Sequence, residues 1–221
     1  FNILTISMLI RYIPGNIWFI AGRAQMFKKY GISRLKTTIT IFIELGILLL
    51  AACFIFLIAV ILGYNPINFP LYWLALIVGL ILISLHPKIF SFFVKKGFKI
   101  IQKKDVDLNW NSKTNFQVFS LLSLHWIFQG FAFYFLINSF YPFDIVHLIP
   151  LIGVHAIAWV LSFLTFISPA GLGVHEGILV LFLQFLVPLD IAIIASILLR
   201  ILTVGHEMTF ALISTRLRRL E

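Results

Sequence analysis

Cysteine and acid are scarce in this chain. A single thiol, Cys53, lies inside an apolar run, which excludes a disulfide framework and any cysteine-built metal centre. Only 8 of 221 residues are Asp or Glu, and all charged residues together make up 11% of the chain; a soluble domain carries about 25%. The chain also lacks a His-Glu-x-x-His spacing, a Ser-His-Asp order and a carboxylate pair placed for hydrolysis. Gly171 and Gly173 do not form a nucleotide fingerprint, because no strand–helix–strand context surrounds them. On these grounds the chain reads as a non-enzyme that needs no metal and no cofactor.

Hydrophobic residues fill the space: they make up 61% of the sequence, with 24 Phe. Buried helices of soluble proteins need apolar runs of about ten to fourteen residues, whereas here runs near twenty recur. The runs are continuous, so the short alternating segments of a β-barrel are absent too. The fold class is therefore an all-α polytopic membrane protein, one transmembrane domain over residues 1–221. Phe1 opens inside an apolar segment, so further helices are expected upstream. The net charge of +9 would raise nucleic acid as a partner in a soluble protein. Here Lys and Arg cluster between the apolar runs, where the positive-inside rule accounts for them, and no nucleic-acid partner is expected.

About six spans follow in order. A helix tail ends at Ile10, and Pro14 and Gly15 break the chain before a short segment from Ile17 to Tyr30, which Gly31 stops. Full spans are expected at Thr37 to Leu62, Leu71 to Leu85, Phe116 to Phe140, Leu148 to Ile167 and Ile191 to Ser214. The run from Ile178 to Val187 is too short to span alone, and either just crosses or re-enters. Residues 88–115 carry Lys88, Lys95, Lys96, Lys99, Lys103 and Lys104 among Phe and Ile, then a polar linker. That pattern fits a helix lying in the cytoplasmic interface. One topology places every basic loop and the C-terminus, with Arg216, Arg218 and Arg219, on the cytoplasmic side.

The stretch from Ser168 to Glu176 stands out. Pro169, Gly171 and Gly173 break the helix that enters it, and Glu176 follows within the next first turn. Open backbone at membrane depth is tolerated only where protein buries it or it lines a cavity. The half-helix beyond aims its positive end at that point. Residues 11–30 have the same outline: a Pro-Gly break, a short helix, then a span bearing Glu44. The span after residue 187 bears Arg200 and runs the opposite way. Paired, broken, oppositely oriented segments are the mark of an inverted repeat with a site at its midplane.

Glu44 and Arg200 are ionisable groups inside spans, each costing about 2.5–3.5 kcal/mol on the translocon scale. Either they form a structural ion pair that fixes helix packing, or Arg200 meets an anionic ligand while Glu44 balances it. Glu176 either caps its helix or contacts a cation, proton or head group. His125 and His155 read as packing or interhelical hydrogen-bond residues, Trp126 and Trp159 as packing or interfacial anchors, and Glu207 as a group near the cytoplasmic end that can snorkel.

The order Arg11, Tyr12, Ile13, Pro14, Gly15, Asn16, Ile17, Trp18, then Arg23, the turn Gly31 to Arg34 and Glu44, resembles the first motif of the flippase-like membrane region of the lysylphosphatidylglycerol synthase (multiple peptide resistance factor) superfamily. Ser168 to Glu176 is similar to that region's Pro-x-Gly-Leu-Gly-x-x-Glu motif, with Ala170 where many members have Gly. Arg200 matches an Arg in the following span. The resemblance implies a plasma- or inner-membrane protein of about eight helices that lacks the fused synthase domain. It also implies a substrate site of Arg11, Pro14, Gly15, Arg23, Glu44, Pro169, Gly171, Gly173, Glu176 and Arg200. The function it implies is translocation of a lipid with an anionic or glycosylated head group, with membrane lipids as partners. The alternative is a non-transporting membrane anchor for a glycosyltransferase or lipid-modifying enzyme, docked through residues 88–115. A homo-oligomer is compatible with either.

Overall fold

The computed structural model describes residues 17–63, 112–165 and 171–218, with isolated positions between 7 and 12 and between 76 and 96. Every element among them is helical: α1 (Ile17–Lys28), α2 (Arg34–Ile61), α3 (Ser112–Asn138), a 3-10 turn at Ile145–His147, α4 (Leu148–Thr165), α5 (Val174–Leu183) and α6 (Leu189–Arg218). Among the described residues, four helices are long and apolar enough to cross a membrane, over Arg34–Ile61, Lys113–Asn138, Ile145–Thr165 and Leu189–Arg216. The expected span from Leu71 to Leu85 and the basic helix from Lys88 to Lys104 lie almost wholly outside the described residues. Within the latter, the Lys96 ammonium sits 5.7 Å from the centre of the Phe92 ring, the i, i+4 spacing of a helix.

Local chemistry sets the helix ends. Past α1 the Ile32 N–H bonds to the Phe27 carbonyl and the Gly31 N–H to the Lys28 carbonyl, the paired bonds of a Schellman stop at the glycine expected to end it. Ser33 then caps α2, its hydroxyl accepting from the Lys36 N–H at 3.2 Å. That cap starts α2 at Arg34, a turn earlier than hydropathy alone places the span. Asp144 caps the 3-10 turn by accepting from the Val146 N–H at 3.1 Å. The α5 helix ends at Leu183, short of the expected Val187, and the chain continues in turns, the Leu186 and Val187 N–H groups both bonding to the Leu183 carbonyl, before Pro188. The 10 residues of α5 reach about 15 Å, half of a hydrocarbon core.

Burial along the helices is inverted relative to a soluble protein. On α6 the covered stripe is Ala192, Ala195, Ser196, Leu199, Glu207, Ala211 and Ser214, while Ile193, Ile197, Ile201, Leu202, Phe210 and Leu212 are exposed. Small and polar residues face inward and large apolar ones outward, as lipid requires, because lipid gives apolar groups no reason to hide. The α3 helix also turns large apolar residues outward, with Phe116, Phe128 and Phe135 exposed, but its covered face, with Phe119, Phe133 and Ile137, is large and apolar as well. Over residues 151–156, α4 is buried on every side.

The chain divides into two compact units. The first comprises residues 1–42, 135–143 and 158–221, the second residues 43–134 and 144–157. In the first, α5 packs on α6. In the second, Trp126 is buried at 2% exposure; its ring lies edge-on to His155 at 5.8 Å, and its indole N–H donates to the Leu48 carbonyl at 3.4 Å. Trp126 is thus a packing residue, for which the interfacial-anchor alternative does not hold, and the His155 ring packs against it.

Candidate functional site

The site grows from two glycines in the first unit. Gly171 and Gly173 have φ of 72° and 80°, left-handed values that cost any residue with a Cβ. They differ in their surroundings. A Cβ on Gly171 would run into the Ser162 hydroxyl on α4, whereas one on Gly173 would meet nothing within 4 Å. Gly171 is needed for both its conformation and its closeness to α4; Gly173 is needed for conformation alone. Alanine at Gly173 should cost about 1 kcal/mol from the backbone. Alanine at Gly171 should cost about 2–4 kcal/mol, adding the overpacking. Thermal unfolding of the two variants in detergent should rank them in that order.

Beyond the break, Glu176 occupies the third position of α5. One carboxylate oxygen, Oε2, accepts from the Gly173 N–H at 2.6 Å. This is the acidic half of a capping box; glycine has no side chain to supply the other half. The second oxygen, Oε1, faces Arg200 Nε at 3.1 Å, and both side chains are largely covered, at 16% and 15% exposure. The N–H of Nε is not aligned on that oxygen, so this contact is an ion pair rather than a directed hydrogen bond. Glu176 therefore caps its helix and also holds a charge. Of the alternatives open for it in sequence, capping is realised, and the charge it meets in the folded chain is Arg200.

Arg200 lies eleven residues into α6, about 17 Å along the helix. Its guanidinium carbon stands 5.9 Å from the centre of the Tyr12 ring, a cation–π distance. The Tyr12 hydroxyl donates to Glu207 Oε2 at 2.9 Å. Glu207 is buried, at 8% exposure, and does not snorkel. It sits seven residues after Arg200, two helical turns along the same inward face. Glu176, Arg200, Tyr12 and Glu207 form a continuous polar line through the first unit. Arg23, also buried, donates from Nε to the Ser7 hydroxyl at 3.1 Å, and Ile10 fills the space beside Gly22, so α1 is tied to the segment that carries Tyr12.

Of the residues expected to form a site, Arg23, Gly171, Gly173, Glu176 and Arg200 fall in the first unit, and the last three touch in sequence. Glu44 lies on α2 in the second unit and is exposed. Arg11, Pro14, Gly15 and Pro169 lie outside the described residues. Tyr12, Ser162 and Glu207 were not anticipated. The seven-residue spacing of Arg200 and Glu207 was a readable sign of a shared face. Nothing in the sequence indicates that Tyr12 meets a residue 195 positions away.

The fold and site define an all-helical protein with helices long and apolar enough to cross a membrane, one of which carries a paired arginine. No protein-family model, no curated protein and no solved structure matches the chain.

Proposed function

We propose that this protein moves a lipid with an anionic or glycosylated head group between the leaflets of a cell membrane, with Arg200 as the residue that meets the head-group phosphate. The observation that carries the reading is the charged line from Glu176 through Arg200 to Glu207, on the covered side of a helix, α6, that exposes large apolar side chains on its other faces. Ionisable groups within spans are expensive and mark pathways or binding sites by default. The opened backbone at Gly171 and Gly173 beside a half-helix is the local form such sites take. The likeness of both glycine motifs to the flippase-like region of the lysylphosphatidylglycerol synthase superfamily points the same way. The finer architecture belongs to this proposal: six spans, a re-entrant α5, an inverted repeat and basic loops on the cytoplasmic side.

The test is leaflet exchange in proteoliposomes of phosphatidylcholine doped with fluorescent phosphatidylglycerol or a fluorescent glycolipid. The parent protein should equilibrate at least one probe across the bilayer. Arg200→Gln, confirmed as folded, should slow that exchange at least about tenfold, the effect of losing one charge-assisted contact. Exchange at the protein-free rate for every probe would overturn the reading.

A further inference from the structure

The two holds on Glu176 are unequal. To Gly173 the carboxylate makes a short, directed hydrogen bond of 2.6 Å within its own helix. To Arg200 it makes a 3.1 Å ion pair without hydrogen-bond alignment, across to another helix. Arg200 has a second support on its other side: the Tyr12 ring, which is itself fixed by donation to the buried Glu207. A phenol that donates to a carboxylate gains electron density, which strengthens its hold on a cation. Breaking the Glu176–Arg200 contact costs the carboxylate its cation but leaves each group a second partner. The carboxylate keeps its backbone donor at the positive end of α5, and the guanidinium keeps its aromatic platform.

We infer that Glu176 is an internal competitor for the ligand: it holds Arg200 in the empty protein and hands it to the phosphate of the incoming head group. This rests on the translocation reading and assigns two residues roles within it. Glu176 sets affinity by competition. Tyr12 is a positioning residue, keeping Arg200 in place through the exchange. Among the described residues, Arg200 from α6 is the cation on the carboxylate, and His175 is the titratable neighbour beside it in sequence on α5. Arg200 is thus the cation that an arriving phosphate and Glu176 both require. A carboxylate that competes makes binding reversible: full-strength pairing of Arg200 with phosphate in a low-dielectric site would trap the lipid.

The competition has an uncommon signature, since removing an acidic residue next to the site strengthens binding of an anion. Glu176→Gln keeps an oxygen for the Gly173 N–H and removes only the charge. Glu176→Asp keeps the charge but is one methylene too short to serve both partners. The measurement is equilibrium binding of fluorescent phosphatidylglycerol to the full chain in phosphatidylcholine nanodiscs, with exchange rates measured in parallel. Glu176→Gln should bind about tenfold tighter than the parent and exchange more slowly, and Glu176→Asp should tighten binding by a smaller factor. Tyr12→Phe, which keeps the ring, should retain more affinity than Tyr12→Leu. Equal or weaker binding by both Glu176 variants, with the parent still binding the probe, overturns the competition and leaves the translocation reading intact. If Glu176→Gln does not stay monodisperse, Glu176→Asp decides alone. Binding by neither parent nor variants overturns both.

Discussion

Arg200→Gln should destabilise the folded protein by about 3 kcal/mol, and Glu176→Gln by only about 1 kcal/mol. The asymmetry follows from what each change leaves behind. Without the guanidinium, Glu176 Oε1 stays covered by protein and loses the cation 3.1 Å away. A largely covered carboxylate that loses its partner cation is left uncompensated, at a cost of about 3 kcal/mol. Without the carboxylate charge, Arg200 still rests on the Tyr12 ring, and the glutamine oxygen can still accept from the Gly173 N–H. The double variant, Arg200→Gln with Glu176→Gln, should therefore be more stable than Arg200→Gln alone, by about 2 kcal/mol, because no charge is left unbalanced. Reversible unfolding of the four proteins in mixed micelles closes the cycle. Additive losses would mean that the two groups do not feel one another and would remove the pair from the site.

This pairing also marks where sequence reading stopped. Helix existence was legible wherever an apolar run neared twenty residues, since lipid permits few alternatives for such a run. Helix ends were legible where a cap was present: Gly31 as a stop was visible in advance, whereas the Ser33 hydroxyl on the Lys36 N–H moved a boundary by a turn. Within the site, the glycine break and its carboxylate were readable because positive φ and a first-turn Glu are local matters. Partner choice was not. The sequence offers Glu44 and Glu176 as carboxylates for Arg200, and only packing decides that Glu176, at the start of the helix that lies on α6, is paired with it. Glu207 was misread for a related reason. Near the end of a span an acid is free to reach for water, but the inward stripe of α6, with Ala211 and Ser214 below it, holds this one under Tyr12.

Trp126→Ala should cost about 4 kcal/mol, the largest loss expected from a single substitution in the second unit. Lipid weakens the transfer part of that cost, because a truncated apolar side chain in a membrane protein exposes little to water. The cavity part remains. Trp126 is 2% exposed, its ring meets His155 at 5.8 Å, and His155 in turn meets Phe133 at 5.7 Å. The backbones around this cluster are already as close as glycine allows. A Cβ on Gly130 would strike the Ile152 side chain, and one on Gly153 would come within 2.5 Å of the Ala59 methyl. Helices in such contact have little room to close further, so the volume of an indole stays empty when it is removed. Trp126→Phe separates shape from polarity: it fills most of the space and loses only the N–H bond to the Leu48 carbonyl, so its cost should be about 1 kcal/mol. Thermal unfolding read by far-ultraviolet circular dichroism distinguishes the two. Comparable losses for Phe and Ala would assign the hydrogen bond the larger role, and a loss under about 1 kcal/mol for Ala would show that the helices collapse into the gap.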